Sequence, residues 1–176
     1  TFGSATWYTL TYQHSILLLY RSAFITHSKN NLSPCQDMEE IYVECAYSAS
    51  SICHGFQEVY LGTKTSSSWG ALHIVFLGGL TFLYCLWVDV RCRREHRRDT
   101  VAATCTACTV VLVIMAERWP VAQPFRSVFQ ALANSTHKML AEQDSETDTR
   151  PLLPALNTSS THDIEEDLSG IAEVGL

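Results

Sequence analysis

Cysteines, arginines and histidines are the residues of this chain whose chemistry could amount to a function, and their spacing narrows what each can do. Cys105-Thr-Ala-Cys108 is a Cys-x2-Cys pair, the spacing that offers two thiolates to zinc or forms a redox-active dithiol. Zinc needs two further ligands, yet Cys35, Cys45, Cys53, Cys85 and Cys92 are scattered, with no second Cys-x2-Cys and no His-x3-5-His. Within a run of Ala, Thr and Val, these two small side chains are expected instead to let neighbouring helices approach. An enzyme using the Cys105/Cys108 pair is the competing reading. Five arginines lie between Arg91 and Arg98, a density suited to phosphate contact or a localisation signal. Glu95, Asp89 and Asp99 leave residues 89–99 at a net charge of only +2, so a solvated loop or helix start is expected. His14, His73 and His137 sit in apolar helical contexts, where hydrogen-bonded core or edge histidines are commonest. There is no Ser-His-Asp order, paired-carboxylate motif, His-Glu-x-x-His or glycine-rich phosphate loop, and Gly78-Gly79 alone does not make one. The chain is therefore expected not to be an enzyme and to carry no catalytic, cofactor-binding or metal-binding residue.

The elements that must position these residues follow from periodicity. Over residues 7–25, Trp7, Leu10, His14, Leu17, Leu18 and Arg21 recur at spacings of three and four, one face of a helix. Ser33-Pro34 fits a cap with proline in the first turn, opening a second helix. Within 38–61, Ile41, Cys45, Ser48, Ile52, Phe56 and Val59 form its apolar stripe, Glu39, Glu40, Glu44 and Glu58 lie mostly off it, and Gly62 ends it. Residues 63–68 make a small polar connection. Residues 69–88 contain no Asp, Glu, Lys or Arg, and after the Arg-rich hinge residues 100–116 are again uncharged. A helix of 20 residues at about 1.5 Å per residue spans roughly 30 Å, so these runs fit a two-span membrane hairpin with a cytoplasmic Arg-rich loop. They equally fit central helices of a soluble helical domain, given His73, three glycines and Thr81 in the first run and four threonines in the second. After Trp119-Pro120, Val121, Phe125, Val128, Phe129 and Leu132 mark a last amphipathic helix running toward Met139 and Leu140, with Pro124 tolerated in its first turn.

Five helices without a strand, and no internal repeat, make the expected class all-α, as part of a larger helical domain. The chain is 176 residues with a net charge of −6, which gives no general attraction to nucleic acid. The charge is uneven: from Glu142 onward nine acids face Arg150 alone, while residues 1–141 net +2. The expected domains are therefore a helical body at 1–141 and a flexible acidic tail at 142–176. In the tail, Arg150-Pro-Leu-Leu-Pro154 is stiff, and acids interleave with Ile164, Leu168 and Ile171 at helical spacing. That pattern suits either a disordered activation segment folding against a partner's apolar groove or a solubilising tail. The odd number of cysteines, seven, and their apolar settings favour a reducing compartment. The sequons at Asn31, Asn134 and Asn157 are short enough to arise by chance, and no signal peptide is visible behind Thr1, so a fragment of a longer product is expected.

Trp69-Gly-Ala-Leu-His-Ile-Val-Phe-Leu-Gly-Gly-Leu-Thr-Phe-Leu-Tyr-Cys-Leu-Trp87 resembles the regulatory, or middle homology, region of fungal zinc-cluster transcription factors. So does the small-residue helix from Cys108 leading into Ala116-Glu-Arg-Trp-Pro120-Val-Ala-Gln-Pro-Phe125-Arg-Ser-Val-Phe129, and Tyr-Gln-His-Ser-Ile-Leu-Leu-Leu-Tyr-Arg at 12–21 looks like an earlier helix of it. The resemblance covers roughly residues 7–140. It implies the C-terminal part of an all-helical regulatory domain in a nuclear factor controlling RNA polymerase II transcription. The partners it implies are transcriptional coactivators or repressors, with a small-molecule effector and a homodimer as further candidates. DNA would be contacted, and zinc held, only by an N-terminal six-cysteine cluster whose Cys-x2-Cys-x6-Cys pattern this chain lacks, so no cofactor is expected here. In these terms Glu117, Arg118 and Trp119 form a structural junction, Arg118 bonding helix-end carbonyls and Trp119 filling the angle before Pro120. A membrane location belongs only to the alternative hairpin.

Overall fold

Long stretches free of interior proline become helices here, and short polar segments end them. The computed structural model describes residues 5–30, 36–62 and 68–148. Among these there are six α-helices and no strand: α1 (Ala5–Asn30), α2 (Gln36–Gly62), α3 (Trp69–Val88), α4 (Val90–Glu95), α5 (Arg98–Arg118) and α6 (Gln123–Asp148), with a 3₁₀ turn at Pro120–Ala122 before α6. Five of them are the long helices expected from periodicity. The sixth, α4, is a short helix in the Arg-rich run, where a solvated loop or helix start was expected. The Ser33-Pro34 cap and the connection at 63–67 lie outside the described residues.

Ser68 caps α3, its hydroxyl accepting from the Ala71 amide at 3.1 Å. Asp89 then serves two helices. Its amide closes α3 on the Cys85 carbonyl at 3.0 Å, and its carboxylate opens α4 by accepting from the amides of Arg91 and Cys92, each at 3.1 Å. One residue thus turns the chain while satisfying donors that would otherwise be orphaned.

Contacts divide the chain into two compact units, 1–141 and 142–176. In the first, α2 is the hub, packing against α3, α1, α5 and α4, while α3 also packs on α5. Its expected stripe faces inward: Cys45, Ser48, Ile52 and Phe56 are buried and Ile41 and Val59 half-buried, with Glu40, Glu44 and Glu58 exposed. The core is completed by Leu72, Val75, Phe82 and Leu86 of α3, Val101, Val111, Leu112 and Met115 of α5, and Phe129 of α6. In the second unit, the described residues 142–148 are helical, the last turns of α6, where a tail without regular structure was expected. The reason is local: Glu142, Gln143 and Glu146 are good helix formers and no breaker occurs before Pro151.

Two faces differ from their expected stripes. On α1 the buried side chains are Leu10, Gln13 and Leu17, whereas Trp7, Leu18 and Arg21 are exposed, because α1 rests mainly on α2 and offers only a narrow seam. On α6 the buried positions among the described side chains are Phe129, Ala133 and Thr136, while Val128 and Leu132, like Val121 of the preceding 3₁₀ turn, are exposed. Here the seam is set by close approach. A Cβ on Gly79 of α3 would lie 2.6 Å from both the Cys108 sulfur and a Phe129 ring carbon, so the glycine leaves the space that the buried Phe129 ring fills.

Gly79→Ala is expected to destabilise the chain by about 1–3 kcal/mol, since two fully packed neighbours must shift. Gly70→Ala, where nothing lies within 4 Å, is expected to stabilise it by up to about 0.5–1 kcal/mol. Urea denaturation followed by circular dichroism measures both, and a neutral Gly79→Ala would show that the α3/α5/α6 seam is looser than described.

Candidate functional site

The singled-out cysteines are placed by the α2/α5 contact. Cys53 of α2 meets Cys105 and Cys108 of α5, and all three are buried. The Cys108 thiol donates to the Val75 carbonyl at 3.8 Å. Burial pushes the Cys105 thiol up to about 12, with a smaller push from Cys53, and drives Cys108 up well above the ordinary range, again mainly through burial. A thiol so disfavoured as thiolate is a poor nucleophile and a poor metal ligand. Cys45, Cys85 and Cys92 gather where α2, α3 and α4 meet; burial raises all three, Cys45 to about 12, and Asp89 further disfavours the thiolates of Cys85 and Cys92. Among the described residues no group of three or more His, Cys, Asp or Glu is arranged to hold a metal ion.

The arginines at 91–98 are largely used within the fold. Arg91 pairs with Glu95 one turn on at 2.9 Å, and Arg93 donates to the last carbonyls of α3, Leu86 at 2.6 Å and Trp87 at 3.1 Å. Arg98 donates to the Leu140 carbonyl of α6 at 2.6 Å. Only Arg94 and Arg97 of the five remain as exposed cations without such a contact among the described residues.

The histidines are separate from one another. His14 is half-buried on α1, and burial lowers its pKa. His137 is exposed on α6. His73 joins an aromatic cluster at the junction singled out in the sequence. Its ring lies 4.2 Å from Trp69, while Trp69 meets Trp119 edge-on at 5.3 Å and Phe125 at 5.9 Å, and Phe76 meets Phe125 at 5.0 Å. The Trp119 amide closes α5 on the Met115 carbonyl at 2.8 Å. Trp119 thus fills the angle between α5 and α6, while Glu117 and Arg118 are exposed in the last turn of α5. Residues 150–154, Ile164, Leu168 and Ile171 lie outside the described residues.

Two features escaped the sequence. Thr104 of α5, 1% exposed, lies 2.9 Å from the Ser50 hydroxyl and 3.3 Å from His54 Nε2, and donates to the Thr100 carbonyl at 2.9 Å. With its proton so used, Thr104 accepts from Ser50 and from His54 in its Nε2–H form, a polar latch between α2 and α5. The one signal was the i, i+4 spacing of Ser50 and His54. The second is an apolar groove of about 330 Å³ between α3 and α6, lined by Leu80, Leu83, Tyr84, Trp87 and Leu132. The indole of Trp87 is held at its edge by donating to the Thr136 hydroxyl at 2.8 Å. A volume near the lower end of ligand pockets, about 300–1,000 Å³, and an uncharged lining suit a small apolar molecule or side chain.

No protein-family model matches the chain. It is 30% identical over 122 residues, 60% of its length, to an uncharacterised transcriptional regulatory protein of Saccharomyces cerevisiae. Over 144 residues, 74% of its length, it is 23% identical to a positive regulator of purine utilization from Emericella nidulans. The chain spans only 9% and 14% of the lengths of these two relatives. No solved structure matches.

Thr104→Val, which keeps shape and removes the hydroxyl, is expected to leave Ser50 and His54 without their acceptor and to cost about 1–3 kcal/mol in urea denaturation. Thiol labelling checks the cysteine assignment. In a Cys35→Ser chain, the six remaining thiols are expected to react with a disulfide reagent at pH 8 on the order of a hundredfold slower folded than in denaturant, and rapid labelling of Cys105 or Cys108 in the folded chain would contradict it.

Proposed function

We propose that residues 1–141 are a regulatory portion of a fungal transcription regulator of the zinc-cluster kind, acting in the nucleus on RNA polymerase II transcription. The observation that carries this reading is the similarity to two proteins named as transcriptional regulators, over 60% and 74% of the chain. In this reading the body works through contacts rather than catalysis. Cys45, Cys85, Cys92, Cys105 and Cys108 are buried and disfavoured as thiolates, Arg93 and Arg98 are engaged with backbone carbonyls, and among the described residues no carboxylate bonds the histidine in the latch of Ser50, His54 and Thr104. DNA contact and zinc would belong to a cluster outside this chain. Coactivators or repressors would meet its surface, and an uncharged effector would find the α3–α6 groove beside Trp87. Residues 142–176, with nine acids interleaved with apolar positions, would be an activation segment.

A second reading rests on one observation: α3 and α5 are each long and apolar enough to cross a bilayer. Against it, 44% and 50% of their most apolar stretches are buried within the fold, and α2, with Glu40, Glu44 and Glu58 exposed, packs along both. Alkaline carbonate extraction separates the two, a regulatory domain being released and a spanning hairpin staying with the pellet.

Residues 142–176 fused to an unrelated DNA-binding domain are expected to activate a reporter several-fold above that domain alone. Changing Ile164, Leu168 and Ile171 together to Ala is expected to abolish the gain by removing the apolar anchors. An inactive fusion, or one indifferent to the three alanines, sinks the activation role.

A further inference from the structure

On α1 two apolar stripes run side by side. Leu10 and Leu17 turn inward to α2, and Tyr8, Tyr12, Ile16 and Leu19 follow one another a turn apart on a different face. Tyr8, Tyr12 and Leu19 are 67%, 64% and 68% exposed, an unusual concentration of large apolar surface. This second stripe forms one wall of a groove of about 840 Å³ whose other wall is α2. Its floor is Tyr12, Ile16, Leu19 and Ile41, and its rim carries Glu40 and Glu44, exposed and one turn apart. Among the described residues no base lines it, and Arg91 of α4 pairs with Glu95 at 2.9 Å.

We propose that the α1–α2 groove docks an amphipathic helix with lysine or arginine flanking its apolar face. Groove walls built from helices carry side chains at one-turn spacing, which receive the ridges of a third helix and present no strand edge to an extended peptide. The apolar floor supplies the burial. The two rim carboxylates choose the sign of the partner, because a like charge beside Glu40 and Glu44 would be repelled. A second copy of this chain offers the same acidic rim and is disfavoured on that ground. The inference stands apart from the transcriptional reading and is tested without it.

The test uses the full chain and two synthetic 18-residue helical peptides with identical leucine positions, one flanked by lysines and the other by glutamates. Fluorescence anisotropy at low salt is expected to show the lysine peptide binding about tenfold or more tighter. The exposed pair change Glu40→Lys with Glu44→Lys, which leaves the core untouched, is expected to reverse that preference. Tyr12→Ser with Leu19→Ser is expected to weaken both peptides about tenfold while helicity by circular dichroism stays the same. Equal binding of the two peptides overturns the proposal. So does a lysine peptide that binds the charge-reversed chain just as well, since it is then held elsewhere on an acidic protein. Sedimentation of the chain alone supplies the last outcome: a dimer lost on changing Tyr12 and Leu19 gives the groove to a second copy and overturns the assignment.

Discussion

Three helices approach one another more closely than large side chains allow, and the rest of the structure accommodates that approach. A Cβ on Gly78 would lie 3.2 Å from Ile52 and 3.7 Å from the Ala49 carbonyl, so α3 rides almost backbone to backbone on α2. Gly79 leaves room for the Cys108 sulfur and the Phe129 ring. Dispersion falls steeply with separation, so contacts at this distance hold the helices through many weak pairs rather than a few strong ones. The condition is that Ala46, Ala49, Cys53, Ala107 and Cys108 stay small, and each is fully buried. Cysteine suits these positions by its size and its apolar character.

A core this apolar needs its polar groups placed at the ends of helices. Asp89 closes one helix and opens the next, Arg93 covers the terminal carbonyls of α3, and Arg98 reaches the Leu140 carbonyl of α6. Asp89 and Arg93 satisfy backbone groups that the chain turn would leave unpaired, Arg98 ties the start of α5 to the side of α6, and a charged partner makes such a bond stronger than a neutral one. Two arginines of a run that could have formed a basic surface, Arg93 and Arg98, are thereby used within the fold. Between α2 and α5, Ser50, His54 and Thr104 satisfy one another and so favour one register of the two helices.

The surface follows from the same division. With α3 and α5 committed to the interior, large apolar side chains left over gather on α1, at the Trp69–Trp119 junction, and along the α3–α6 groove. Such patches on a folded chain are places of contact, and they lie on elements whose other faces are firmly packed.

The helical class, the positions of the five long helices and the inward stripe of α2 were legible in the sequence, because a period of 3.6 in apolar residues survives any packing arrangement. The charge asymmetry at residue 142 was legible for the same reason, being a property of composition alone. Periodicity could not say which of two apolar stripes on α1 would be covered, nor that on α6 Phe129, Ala133 and Thr136 would turn inward while Val128 and Leu132 stayed out. Those choices depend on where a neighbour leaves room, and Gly79 leaves the space that the Phe129 ring fills. The roles of Asp89, Arg93 and Arg98 were likewise hidden, since their partners are backbone atoms whose positions exist only after the chain has turned. Sequence determined the elements and their chemistry; the distances between helix backbones decided which side chains became core, joint or surface.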